Sequence, residues 1–107
     1  MSNDTLDHNR LLLELTRAIQ NVNREIINPK IPELTLDGLT PVMSMVARAR
    51  GEYLKDLFEL TESAGEGLPT STQIAELRVR RLAYEELLAG AKALEVAIER
   101  GYLDVSG

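Results

Sequence analysis

His8 is the one imidazole in a chain of 107 residues. An exposed imidazole can trade protons near neutral pH or act as a nucleophile that accepts a transferred group. Here the ring is followed by Asn9, Arg10 and three leucines, Leu11, Leu12 and Leu13. Carboxylates are plentiful, among them Glu14, Glu25, Glu52, Glu59, Glu62, Glu76, Glu85, Glu86, Glu95 and Glu99. A di-iron helical bundle would need Glu-x-x-His on two helices with further inward glutamates. One histidine, with Thr5 where that glutamate would stand, excludes such a site within one chain. The absence of cysteine excludes thiol catalysis, iron–sulfur clusters, zinc ribbons and disulfide scaffolds. The glycines of AGEGLPT lack the Lys and Ser/Thr of a phosphate-binding loop, and neither a Ser–His–Asp set nor an EF-hand spacing is present. The sequence therefore reads as non-enzymatic, with no cofactor and no metal.

The arginines offer a different chemistry. Arg10, Arg17 and Arg24 recur at heptad spacing, so they line one helical stripe that can meet a phosphate backbone or an acidic partner. Glu14 stands among them, four residues after Arg10 and three before Arg17, so intrachain ion pairs are the plainer use. Arg78, Arg80 and Arg81 point in different directions around a helix, and Glu76–Arg80 and Arg81–Glu85 are i,i+4 pairs. With 17 acidic against 12 basic side chains and a net charge of -5, the chain is acidic. That balance argues against coating nucleic acid or an anionic membrane as its main task.

Two local resemblances follow from these residues. His8 with Arg10 near the start of a bundle helix resembles the histidine phosphotransfer domains, which are small acidic helical bundles. The resemblance implies His8 as a phosphoryl acceptor, although leucines stand where those domains carry small residues beside the ring. TSTQIAEL is similar to the first helix of a helix-turn-helix, but no glycine turn and second helix follow it. Nucleic-acid binding would therefore rest on Arg10, Arg17 and Arg24.

Three helical stretches must position these groups. The first spans about 5–28, with Asn3 or Asp4 as N-cap and Pro29 as the stop. Leu11, Leu12, Leu15, Ala18, Ile19, Val22 and Ile26 share one face of it, with His8 on the same line one turn earlier. NPKIPELTLDG then forms a connection, and a short strand at residues 34–36 has no evident partner. The second helix is expected over 41–64, opened by Thr40 as N-cap and Pro41 at the first helical position. Its apolar arc is wide, and Gly51 within it is consistent with close approach of another backbone. The third is expected over 71–100, with Thr70 and Gln73 spaced as a capping box and Gly101 as the left-handed stop. At about 45 Å it should overhang the other two, at about 36 Å each.

One arc of the third helix carries Leu77, Tyr84, Leu87, Leu88, Ala91, Leu94 and Ile98. A second carries Val79, Ala83, Gly90, Ala93 and Ala97. Together they exceed the stripe that one core needs. The expectation is one all-α domain over 1–107, a three-helix up-down-up bundle with a long C-terminal helix. With aromatics at 4% against 44% apolar residues, its core must be aliphatic. Surplus apolar surface marks an interaction site, and two-fold homodimers are the commonest way to cover it. The candidate interface is Val79, Ala83, Gly90, Ala93 and Ala97 with Leu54 and Phe58. The competing account covers this surface with residues 29–39 and with Tyr102, Leu103 and Val105. The function expected is protein–protein interaction, as an adaptor, regulator or assembly factor. No apolar run approaches the roughly 20 residues of a membrane span. The polar start MSNDTLDHNR carries no targeting signal, so a cytoplasmic location is expected.

Overall fold

Pro29 ends the first α-helix because it has no amide to donate back along it, and the chain tightens into a 3-10 turn from Asn28. A computed structural model describing residues 2–106 places three long helices between the breaks that Pro and Gly impose. They are α1 (Ser2–Ile27), α2 (Leu36–Ala64) and α3 (Ser71–Glu99). A single 3-10 turn, Asn28–Lys30, follows α1 with Pro29 inside it. The protein is all-helical, and among the described residues no strand forms beyond one isolated bridge.

Four boundaries differ from the expected ones. α1 begins at Ser2, so Asn3 and Asp4 lie inside its first turn rather than capping it, and it ends at Ile27, not at 28. α2 begins at Leu36 instead of 41, and Pro41 sits inside the helix. Thr35 precedes it, at the position where a hydroxyl can serve first-turn amides, and Asp37 puts a carboxylate against the positive end of the helix dipole. These signals precede Thr40–Pro41, and the helix runs through the proline although it removes the bond to the Asp37 carbonyl and its ring crowds that carbonyl. α3 closes at Glu99 rather than 100 and, at 29 residues, equals α2 in length; the expected excess over α2 is absent.

The described chain forms two compact units. One comprises the chain up to Leu36 with the residues from Glu95 onward, and the other is Asp37–Leu94. Within the second unit α2 and α3 form an antiparallel hairpin. Arg50 meets Tyr84 while the later Asp56 meets the earlier Arg80, which only opposed chain directions allow. Val42, Val46, Ala49, Tyr53, Asp56 and Leu60 recur at spacings of three and four and are among the α2 residues withdrawn from solvent. On α3 the arc of Leu77, Tyr84, Leu87, Leu88, Ala91 and Leu94 is withdrawn in the same way. Val46 and Leu60 are the buried apolar residues of this unit. Tyr53 and Tyr84 stack with ring centroids 6.2 Å apart, and the Arg50 guanidinium lies 5.2 Å from the Tyr84 centroid. Gly65, at φ 58°, takes the left-handed turn after α2. The Thr70 hydroxyl then accepts from the Gln73 amide at 3.1 Å, and the Gln73 carboxamide accepts from the Thr70 amide at 2.9 Å. This is the reciprocal cap its sequence spacing predicts.

The first unit closes on the end of α3. Gly101 has φ 74°; its amide donates to the Ile98 carbonyl at 3.1 Å, and the Tyr102 amide donates to Ala97 at 2.9 Å. Those two bonds are the Schellman pair that satisfies the last carbonyls of a helix. Beyond it the chain pairs with the connection after α1. The Leu34 amide donates to the Asp104 carbonyl and the Ser106 amide to the Leu34 carbonyl, each at 2.9 Å. Leu34 thereby forms a parallel bridge with Val105, the partner that a strand at 34–36 lacked in the sequence. Leu34, Tyr102 and Leu103 are the buried residues here.

Candidate functional site

In α1, leucine, isoleucine and valine recur along one face over four turns, a spacing that produces an amphipathic helix in water. Such a face is ordinarily covered. Here Leu11, Leu12, Leu15, Ile19, Val22 and Ile26 are each between 48% and 62% exposed. What the chain lays against α1 within this unit lies on its polar side. The Arg24 guanidinium donates to the Gly101 carbonyl at 2.9 Å and to the Asp104 carboxylate, and the Gln20 carboxamide donates to the Arg100 carbonyl at 3.0 Å. Arg24 and Gln20 lie opposite Leu15 and Val22 on the helical wheel. Bonds to Arg24 first, and then to Asn28, hold the Asp104 carboxyl below its ordinary range. The fold thus anchors its C-terminal turn through the hydrophilic side of α1, and the aliphatic side stays open.

The interface expected on the hairpin is open as well. Val79 is 66% and Phe58 72% exposed, and Leu54, Ala83, Gly90 and Ala93 are exposed. Ala97, which belongs to the other unit, is half-buried. Among the described residues, a methyl group added at Gly90 or Gly51 would meet nothing within 4 Å, so the close backbone approach expected at Gly51 is not made among them. Leu54 and Phe58 share one face of α2, and the Val79–Ala93 set shares one face of α3. Both faces turn away from the seam between the two helices.

His8 is exposed on α1 and shares the line of Leu15 and Val22. Arg10, Arg17 and Arg24 are all exposed, and Arg24 is in addition bonded to the C-terminal turn through Gly101 and Asp104. Among the described residues, no ion pair joins Arg10 or Arg17 to Glu14. Arg81–Glu85 is formed at 3.8 Å. Arg80 turns from Glu76 to reach across the hairpin, with Nε 3.6 Å from Asp56 and a terminal nitrogen 3.9 Å from Glu52. Among the described residues, no cluster of three or more His, Cys, Asp or Glu side chains is arranged to hold a metal, and no helix is long and apolar enough to cross a membrane.

Periodicity identifies the α1 face as apolar, and the sequence assigns it to the core. Its exposure is the feature sequence reasoning missed, together with the anchoring role of Arg24 and Gln20. The spacing of Leu12, Leu15, Ile19, Val22 and Ile26, alternately three and four residues apart, is the signal of a helix-pairing seam. Comparison with protein-family models, curated proteins and solved structures gives no match to this chain.

Proposed function

We propose that this protein is a non-enzymatic helical module that works by protein–protein association, as an adaptor, regulator or assembly factor, and that it is a homodimer. The observation that carries this reading is the open aliphatic face of α1 on a helix whose polar side is already engaged by its own chain. Six half-exposed aliphatic side chains leave on the order of 500 Å² uncovered, the size of the largest apolar patch on a typical soluble monomer, and such patches often serve in binding. The exposed arc of Val79, Ala83, Gly90 and Ala93, with Leu54 and Phe58 on α2, supports the same reading and supplies a second surface for a protein partner.

Light scattering over a concentration series tests it. The expected mass rises from that of one 11.9 kDa chain toward twice that value. Leu15→Glu combined with Ile19→Glu returns it to the single-chain mass with helical content unchanged by circular dichroism. Gly90→Leu tests the α3 arc in the same assay, and loss of the dimer in that variant assigns the self-association to α3. A wild-type mass that stays at one chain across the series overturns the homodimer.

A further inference from the structure

We infer that the open face of α1 is occupied by the same face of a second copy, as a parallel, in-register two-stranded coiled coil. This rests on the association reading above and specifies its partner and geometry. In heptad terms Leu12, Ile19 and Ile26 occupy a positions, and Leu15 and Val22 occupy d positions. Thr5 and His8 continue the a and d series toward the start of the helix. β-Branched residues at a with leucine at d favour two parallel strands, and Ile19, Ile26 and Leu15 follow that rule; Leu12 and Val22 depart from it.

The flanks decide between an identical partner and a foreign one. Partner choice in coiled coils is written in the charges at e and g, where opposite signs select and like signs repel. From Asp4 onward, the g positions of α1 are Asp4, Leu11, Ala18 and Glu25, and the e positions are Asn9, Thr16 and Asn23. In a parallel pair each g residue faces the e residue five positions on in the copy, so Asp4 faces Asn9, Leu11 faces Thr16 and Ala18 faces Asn23, and no like-charged pair along α1 repels a second copy. The arginines at heptad spacing, Arg10, Arg17 and Arg24, fall at f, pointing away from the seam. The f side is also where the C-terminal turn is held through Arg24, so both copies can meet without undoing that contact. Burying the face on each copy brings the interface to about 1,000 Å² in total, the lower end for a specific association. A reversible dimer populated in proportion to concentration is therefore expected.

The chain has no cysteine, so single cysteines report the geometry directly. A parallel in-register pair sets each d residue beside its own copy, within reach of a disulfide. Leu15→Cys and Val22→Cys, each oxidised separately at a concentration where the dimer forms, are expected to give covalent dimers. Arg17→Cys, at f, is expected to give at least tenfold less. Retained helical content by circular dichroism accompanies each variant, and the side chains replaced are half-exposed, so folding does not depend on them. Cross-linking that appears only when Leu15→Cys and Val22→Cys are mixed overturns the parallel arrangement. Equal cross-linking of Arg17→Cys overturns the seam. A dimer by mass that gives no d-position cross-link and is lost in Gly90→Leu overturns this inference and leaves the association reading standing. A single-chain mass at every concentration removes the homodimer itself.

Discussion

Gly101 and Asp104 show how much of the first unit depends on single residues. Gly101 occupies left-handed backbone at φ 74°, and a Cβ there would lie 3.3 Å from the Gln20 carboxamide nitrogen that donates to Arg100. An L side chain in that conformation costs about 1–2 kcal/mol. Gly101→Ala is therefore expected to destabilise the first unit by about that amount, read as faster amide exchange at Leu34 and Ser106. Asp104 gives a pH dependence of definite sign. Its carboxyl is held low by Arg24 and Asn28, so the folded form prefers the carboxylate more than the unfolded chain does. The stabilisation is present above the unfolded value of about 3.9 and is lost as pH falls through the lower folded value. Leu103 methyl resonances should shift toward unfolded positions over that acidic range, and Asp104→Asn should abolish this titration.

At the scale of elements, the hairpin carries a polar pair in an apolar seam. Asp56 interrupts the series Val46, Ala49, Tyr53 and Leu60, its side chain is 18% exposed, and Arg80 approaches it from α3. Its Oδ2 is buried with no hydrogen bond. Arg80→Ala should cost about 1 kcal/mol or more because it strips the countercharge from a largely buried carboxylate. Adding Asp56→Leu to that variant should recover the loss in chemical denaturation, since an aliphatic residue suits the seam. The elements also show what was legible beforehand. The Thr70–Gln73 cap and the Gly101 stop depend on residues within five positions of one another, so their spacing alone predicts them. The start of α2 was misplaced because Thr40–Pro41 is a strong local start signal and Thr35–Leu36–Asp37 a weaker one lying earlier; a helix extends outward through any residues that tolerate it. Periodicity showed that the α1 face is apolar but not what covers it. The bonds of Gln20 and Arg24 to Arg100, Gly101 and Asp104 join positions 77 to 80 residues apart, for which no local pattern exists.

For the whole molecule, the three-helix composition was readable from amphipathic period and breaker residues, while the candidate surface was readable only in part. Most of the α3 arc and the Leu54–Phe58 face are exposed, and so is the aliphatic face of α1. The division into units carries a temporal consequence. The Leu34–Val105 rung and the Arg24 anchor recruit residues beyond position 100, whereas the hairpin is drawn from one uninterrupted stretch, Asp37–Leu94. Loop-closure entropy rises with the length enclosed, so the hairpin is the cheaper nucleus. On a ribosome, α1 is synthesised well before residues 100–106 and must wait until these leave the exit tunnel and dock on its polar side.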